Sequence, residues 1–397
     1  MSPNRQRGFT LIELLIVIMI IGILIGIAFP AFVAVRNSAQ STQCKSNLRQ
    51  FAICLLNRSA QNPNGSFCTG AFDFRRDGAY DQFGWVADCA GQDVLAGQLL
   101  CPTSICVGSE KLLPGSSGSE GAGGGVGATS TGSAFRSDRQ PPSRVGTVFR
   151  DNATVGDVVG AGFNTNYATS WHLVRSQLVL ANNSIIGDPK QWWDNNNSTQ
   201  VTLGPLTLQQ LDSGDVPATA IPMIGCGTQG DVAAGAASGD GLLPGTIDPN
   251  LRLIQGAPVA ESFNDGPSIS DGAAAVRQID AGLPTNVPGA TSNQFLAWQG
   301  QNYASVGEAS IPNQVLQDTR DWFAWHNNSL NVVMADGSVQ SFDDVNKDGF
   351  INPGFAVGSG ATFETTGYTS SEIEVNPFQI FPGVLLNGSF RTKRFEQ

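Results

Sequence analysis

Seven cysteines and two histidines carry most of the chemistry that this 397-residue sequence offers, the cysteines standing at positions 44, 54, 68, 89, 101, 106 and 226. Cys68, Cys89, Cys101 and Cys106 lie close together in a segment rich in turn-forming residues. Disulfide bonds within this group are the favoured prediction, because an oxidising compartment and a loop-rich fold suit such bonds. Zinc is the weaker alternative, because the one close pair, Cys101-x4-Cys106, has no histidine near it in sequence.

His172 and His326 are the two side chains that a hydrolytic triad would use as its general base. Each follows a tryptophan, and a hydrogen-bonded structural role is favoured over catalysis for His326. The sequence has no glycine-rich phosphate loop ending in Gly-Lys-Ser/Thr, no Gly-x-Ser-x-Gly elbow and no His-Glu-x-x-His zinc motif. We therefore predict no catalytic residue and no enzyme activity.

A segment near the carboxyl end places oxygen donors at alternating positions, as a calcium loop does. It resembles the first nine positions of an EF-hand or dockerin loop, with Phe350 contributing its backbone carbonyl. The donors in order are Asp344, Asn346, Asp348, Phe350 and Asn352. The twelfth position is Phe355 instead of an acid, so an Asx-rich turn without metal stays open beside the calcium site. Calcium is the one candidate cofactor.

Two strand-like runs flank Asp336-Gly337, a dipeptide that favours a two-residue hairpin turn with positive φ. Such a turn pairs Ala335 with Ser338. The same register places Ser329 opposite Asp344, at the start of the calcium-like loop.

Composition limits the fold and the partners. The 22 Lys and Arg against 33 Asp and Glu make 14% charged residues and a net charge of −11, which argues against a nucleic-acid partner. The 47 glycines favour turns and short strands over a helical bundle, and 41% apolar residues are enough for a core.

The segment from Leu14 to Val35 contains no charged side chain. Its 22 residues would form a helix about 33 Å long, enough to cross a hydrocarbon layer of about 30 Å. Glu13 stands directly against this run, and an acid at membrane depth costs about 2.5–3.5 kcal/mol, so it usually has a function and a partner.

The stretch Arg7-Gly-Phe-Thr-Leu-Ile-Glu-Leu14 resembles the processing site of type IV prepilins and type II secretion pseudopilins. The resemblance implies that a prepilin peptidase cuts between Gly8 and Phe9 and that Phe9 becomes the N-methylated terminus. It further implies that Glu13 pairs with the terminal amine of a neighbouring subunit during assembly. Pro30 stands where such proteins commonly carry a helix-loosening proline.

The helical pattern continues past the apolar span, since Cys44, Leu48, Phe51 and Leu55 recur on one face. Cys44 and Cys54 would lie about 15 Å apart on this helix, too far for a disulfide. The turn signals of 61–65 end the helix. Further along, the glycine- and serine-rich run 114–133 predicts a flexible loop.

A second resemblance lies within Trp322–Phe342. His326, nine residues and then Asp336-Gly337 are similar to the His-x9-Asp-Gly signature of a large pilin-like bacterial family of unknown function, whose members begin with the same processing site. The sequence of the predicted helix from Gln43 to Gln50 also resembles that family.

We predict an α+β fold in which a long amino-terminal helix packs on an antiparallel sheet, as in pilins. The region 134–310 is expected to be a large insertion rich in β-strands and loops, and a second domain is the alternative. The expected divisions are a leader (1–8), a transmembrane helix (9–35), its soluble continuation (36–60) and a β-rich external domain (61–397).

The favoured function is a pilin-like structural subunit that assembles through its amino-terminal helix into a pilus or a type II secretion pseudopilus, or remains anchored in the membrane. Its expected partners are prepilin peptidase, other pilin-like subunits and membrane lipid. Its expected location is the inner membrane, crossed once, with the domain on the periplasmic or cell-surface side; an extracellular filament is the other expected location. The alternative is a surface-anchored module that binds a ligand or carbohydrate through 134–310 and uses the prepilin signal for export.

Overall fold

The computed structural model describes most of the chain. The described residues are 10–73, 76–112, 155–181, 184–185, 187, 190, 193–194, 199–230, 241–242, 249–270, 276–279, 315–358, 367–376 and 378–386. The predicted glycine- and serine-rich loop at 114–133 and the predicted cleavage site at Gly8-Phe9 lie outside these residues.

One helix, α1 (Leu11–Gln61), contains both the apolar span and its predicted continuation. It continues through Pro30 without a break. Its second half buries the predicted face, because Cys44, Leu48, Phe51 and Leu55 are all fully buried. The Phe51 ring contacts Trp85 and Tyr167 edge-on, with ring centroids 5.2 and 5.5 Å apart. A fully buried aromatic of this kind contributes about 1.5–3 kcal/mol of hydrophobic free energy.

The carboxyl end of α1 is fixed by the residues that the sequence places there. Asn62 has an extended backbone ahead of Pro63, which ends the helix as predicted. Arg58, in the last turn, binds Asp88 at 2.8 Å and the carbonyl of Ser66 at 2.8 Å. A basic side chain here also favours the negative end of the helix dipole.

The soluble half of α1 packs on a four-stranded antiparallel sheet with strand order β1-β6-β10-β11. The strands are β1 (Tyr167–Thr169), β6 (Pro222–Cys226), β10 (Ser329–Met334) and β11 (Val339–Asp343). β1 and β6 come from the region predicted as an insertion, so that region supplies half of the main sheet. The predicted α+β class, a long helix on an antiparallel sheet, is confirmed.

The hairpin between β10 and β11 differs from the prediction by one residue. Ser329 pairs with Asp343 rather than Asp344, and the Met334 amide donates to the carbonyl of Ser338 at 2.8 Å. The loop therefore has three residues. Two bonds explain the shift, because the Asp336 side chain accepts the Ser338 amide at 2.9 Å and the Ala335 amide donates to the carbonyl of Ile221, the residue just before β6. Gly337 has the predicted positive φ, at +85°.

A glycine allows the main sheet to pack closely at β6. Gly225 faces Trp322, and a Cβ at this position would lie 2.9 Å from the indole nitrogen. That nitrogen donates to the carbonyl of Ala168 on β1 at 2.8 Å. The buried indole thus joins the 322–342 segment to the first two strands of the sheet.

The other described elements are short. The helices are α2 (Trp85–Ala90), α3 (Val155–Gly160), α4 (Trp171–Arg175) and α5 (Leu208–Ser213). The remaining strands form two antiparallel pairs and one antiparallel three-stranded sheet with order β8-β7-β9. Their bounds are β2 (Leu180–Ala181), β3 (Ser184–Ile185), β4 (Trp193–Asp194), β5 (Thr199–Gln200), β7 (Pro267–Ser270), β8 (Val276–Gln278) and β9 (Val315–Gln317).

Candidate functional site

The first half of α1 is exposed along its whole length. Every residue from Thr10 to Ala39 is exposed, including all the leucine, isoleucine and valine side chains of the apolar span. Among the described residues, α1 is the one helix long and apolar enough to cross a membrane. Such a surface is too large and too apolar to remain in water, so lipid or other protein must cover it.

Glu13 is the one charged residue between Thr10 and Arg36, and it closes the start of α1. Its Oε2 accepts the Thr10 amide at 2.9 Å and the Thr10 hydroxyl at 2.8 Å, and the Glu13 amide donates back to that hydroxyl. This reciprocal arrangement is a capping box. The carboxylate therefore holds the first turn in shape while it remains exposed.

A second group of functional side chains lies where α1 meets the sheet. Three thiols and one imidazole, from Cys44, Cys101, Cys226 and His326, converge so that their donor atoms all lie within 4.8 Å of one another. We call these four residues the thiol–imidazole cluster. Cys44 comes from α1, Cys226 ends β6, and the other two lie on loops. His326 belongs to the predicted signature.

Distances within the cluster are close to van der Waals contact. The Sγ atoms of Cys44 and Cys226 are 3.3 Å apart, and those of Cys226 and Cys101 are 3.5 Å apart. Nε2 of His326 lies 3.4 Å from Cys101 Sγ and 3.5 Å from Cys226 Sγ. Hydrogen bonds from the Cys226 and Cys44 thiols, helped by His326, hold the pKa of the Cys101 thiol well below its usual range.

Hydrogen bonds from neighbouring polar side chains hold the cluster residues and the loop that carries Cys101 in position. The Thr103 hydroxyl lies 2.9 Å from His326 Nδ1. Asn166 accepts the Cys101 amide at 2.8 Å and donates to the carbonyls of Cys101 and Cys106. Asn47 of α1 donates to the carbonyls of Leu99 and Leu100 at 2.9 and 3.1 Å.

The structure differs from the disulfide prediction. All seven cysteines have free thiols in the structure. Cys101 joins the cluster, Cys89 lies beside Cys54, and Cys68 lies against the carbonyl of Leu173 at 3.6 Å. Burial raises the pKa of the Cys106 thiol to about 12. Proximity along the chain was a poor guide, because Cys101 meets Cys44 and Cys226, and Cys89 meets Cys54, across distant segments.

The calcium-like loop is held by bonds to its own backbone. Asp344 accepts the amides of Lys347 and Gly349 at 2.6 and 2.7 Å. Asn346 Oδ1 accepts the amide of Asp348 at 2.9 Å. These are the bonds expected of an Asx-rich turn.

Glu374 adds an acid to this loop that the sequence pattern did not reveal, because it lies 22 residues beyond Asn352. It accepts the amides of Val345, Asn346 and Asn352 at 3.0, 3.2 and 2.8 Å. Burial raises the pKa of Glu374 to about 7. Calcium binding by Asp344, Asn346, Asp348, Phe350 and Asn352 stays a prediction.

His172 has the surroundings of a structural residue. It is fully buried, and Nδ1 lies 3.1 Å from the carbonyl of Ser176 in the same turn. Burial lowers the pKa of the imidazole to about 4, which keeps it neutral. Because His172 has no exposed surface, neither ring nitrogen contacts solvent, and the imidazole is not placed to act as a general base.

Comparison with known proteins decides the family. Residues 33–348 match the family described as "Protein of unknown function (DUF1559)", which spans most of the chain and includes all four cluster residues. The chain belongs to this family. Residues 3–29 match the "Prokaryotic N-terminal methylation motif", so this DUF1559 member carries a prepilin-type processing motif. The motif and the apolar helix together indicate a membrane-anchored protein with an external domain.

Type IV pilins and a fimbrial protein are similar to a short segment of this chain. The type IV major pilin protein PilA of Myxococcus xanthus (strain DK1622) is 51% identical over 45 residues, which cover 11% of this chain and 20% of the relative. The type IV major alpha-pilin and the fimbrial protein Q of Moraxella bovis are each 53% identical over 45 residues, covering 28% and 29% of those proteins. The match thus spans less than a third of the length of each of these curated relatives. No solved structure matches it.

Proposed function

We propose that the chain is a pilin-like structural subunit. A prepilin peptidase cuts it between Gly8 and Phe9, Phe9 is N-methylated, and the mature subunit assembles through α1 with other pilin-like subunits. The observation that carries this proposal is the complete exposure of the apolar half of α1 in a helix whose other half is built into the domain.

This geometry suits a subunit that moves from lipid into a filament. Before assembly, the lipid of the inner membrane covers the residues from Leu11 to Val35, and the domain lies on the periplasmic or cell-surface side. In a filament, the same residues pack against the equivalent helices of neighbours. Gly22 and Gly26 lie one turn apart on α1 with open space around them, which permits a close approach between helices.

Glu13 gives assembly its specificity in this proposal. A carboxylate among apolar helices needs a partner, and the new amine of a neighbour's Phe9 is the charge that processing creates. Cleavage and assembly are therefore chemically linked, because an uncut subunit lacks this amine at Phe9. The filament would be a pilus or a pseudopilus of the type II secretion kind, and no catalytic activity is part of the proposal.

Cell fractionation tests assembly. Cells that express the full chain with a prepilin peptidase and a filament assembly machinery are sheared mechanically, and the high-mass sheared fraction is probed for the domain. We expect the chain in that fraction, and a strain without the peptidase should keep it in the membrane. A mature chain found only in the membrane fraction would overturn the assembly step and favour an anchored binding module.

A further inference from the structure

Most of the distances between donor atoms in the thiol–imidazole cluster are close to those between the ligands of a tetrahedral metal ion. Zinc binds thiolate sulfur at about 2.3 Å and imidazole nitrogen at about 2.0–2.1 Å, which places tetrahedral ligands roughly 3.5–3.8 Å apart. Of the six separations among the donor atoms of Cys44, Cys101, Cys226 and His326, four are 3.3–3.5 Å and the other two are no longer than 4.8 Å. Three thiolates with one imidazole form a common ligand set for structural zinc.

Disulfide chemistry accounts less well for the same atoms. A disulfide bond is about 2.05 Å long, and the nearest sulfur atoms, those of Cys44 and Cys226, are 3.3 Å apart. Any one bond would use two of the three thiols and leave the third thiol with the imidazole. An ion uses all four donors at once.

His326 is oriented as a metal ligand should be. A metal-binding histidine usually donates its other ring N–H to an oxygen, which fixes the tautomer and aims the free nitrogen. Here the Thr103 hydroxyl, 2.9 Å from Nδ1, is placed to accept that N–H, and Nε2 faces the sulfur atoms. When Nδ1–H donates to this hydroxyl, the lone pair of Nε2 points at the thiols.

The ligand-bearing loop is held in place before any ion arrives. Asn166 binds both the amide and the carbonyl of Cys101. Asn47 anchors the two preceding carbonyls, those of Leu99 and Leu100, to α1. Asn47 and Asn166 are both buried, with 2% and 1% of their surface exposed. Because these buried amides already order the loop, metal binding would cost less conformational entropy.

Burial decides between a structural and a catalytic ion. Cys44 and Cys226 have no exposed surface, Cys101 has 3% and His326 has 6%. Four protein ligands complete a tetrahedron, and a catalytic zinc site would keep one position open for water or substrate. The site is therefore closed, and an ion bound there would stabilise the fold instead of taking part in a reaction.

We propose that Cys44, Cys101, Cys226 and His326 bind one structural zinc ion that clamps α1 onto the main sheet. The ligands join α1, the loop after α2, the end of β6 and the start of the β10–β11 hairpin. The ion would thus tie the membrane helix to the domain that it carries. It also gives the histidine of the His-x9-Asp-Gly signature a chemical role. This inference is independent of filament assembly.

The test measures metal in the full chain purified in detergent without chelator. Mass spectrometry of the metal content should find about one zinc per chain. After exchange with Co²⁺, the protein should show the thiolate-to-cobalt charge-transfer band and the strong visible bands of a tetrahedral site. Cys226→Ser should lose both signals, and His326→Cys should keep them because it retains four soft ligands.

Cys106→Ser is the matched control, since Cys106 is equally buried, lies on the same loop and is outside the cluster. This variant should bind zinc as the unaltered chain does. The wild-type measurements decide the question even if a ligand variant fails to fold. Zinc below about 0.1 per chain with no cobalt spectrum, a mapped disulfide between any two cluster cysteines, or one copper or iron in place of zinc would each overturn the proposal.

Discussion

A Glu13→Ala subunit is expected to reach the membrane at the wild-type level while its share of sheared filaments falls at least about tenfold. The reason is that removing one partner of a buried ion pair costs about 3–5 kcal/mol, because the other charge is left without its partner. Membrane insertion should not suffer, since an acid at membrane depth is itself unfavourable. Immunoblots of the membrane and sheared fractions measure both quantities.

Two further variants separate the charge of Glu13 from its cap. Glutamine also serves in a capping box, so Glu13→Gln keeps the bonds to Thr10 and removes the charge. Thr10→Val keeps the charge of Glu13 and removes the two bonds that the Thr10 hydroxyl makes with it. If assembly depends on the ion pair, Glu13→Gln fails and Thr10→Val assembles. The opposite pattern would mean that helix capping, and not pairing with Phe9, is the role of Glu13.

An Asp77→Ala variant should lose about 3–5 kcal/mol of folding free energy. The two oxygens of Asp77 accept Nη1 and Nη2 of Arg175 at 3.0 and 2.7 Å, and neither side chain is exposed. The Arg175 guanidinium also lies over the Phe263 ring, 5.4 Å from its centre. Without Asp77, a charge would remain buried in the core with no counter-charge. Urea unfolding of the full chain in detergent, followed by tryptophan fluorescence, measures the loss.

A double variant tests the cause of that loss. Asp77→Ala with Arg175→Met removes the stranded charge and should recover at least about half of the stability, since apolar replacements of buried ion pairs are often tolerated. Asp212→Ala, at an exposed position of α5, should change stability by no more than about 0.5 kcal/mol. A loss below about 1 kcal/mol for Asp77→Ala would contradict the role given to the pair.

The parts of the fold that depend on local sequence were predictable. The buried face of α1 follows from the spacing of Cys44, Leu48, Phe51 and Leu55, because a period of 3.6 residues is visible in the sequence itself. The end of the helix follows from the turn signals at 61–65. The register of the β10–β11 hairpin was missed by one residue, because the bond between Ala335 and Ile221 cannot be seen in the hairpin's own sequence.

The thiol–imidazole cluster could not be read from spacing. Cys44 and Cys226 are 182 residues apart, Cys101 and Cys226 are 125 apart, and Cys226 and His326 are 100 apart. Motif rules for zinc rely on ligands close in sequence, and this site draws each ligand from a different segment. One signal was available, which is that Cys44 lies on the predicted buried face and His326 belongs to the predicted signature.

The mass of the mature amino terminus tests the central claim, that this chain is a processed pilin-like subunit. The protein is purified from cells with and without prepilin peptidase, digested, and the terminal peptide is sequenced by mass spectrometry. We predict a peptide that begins with N-methylated Phe9 when the peptidase is present, and one that retains Gly8 when it is absent. A terminal peptide that retains residues 1–8 in both strains would contradict the proposed function.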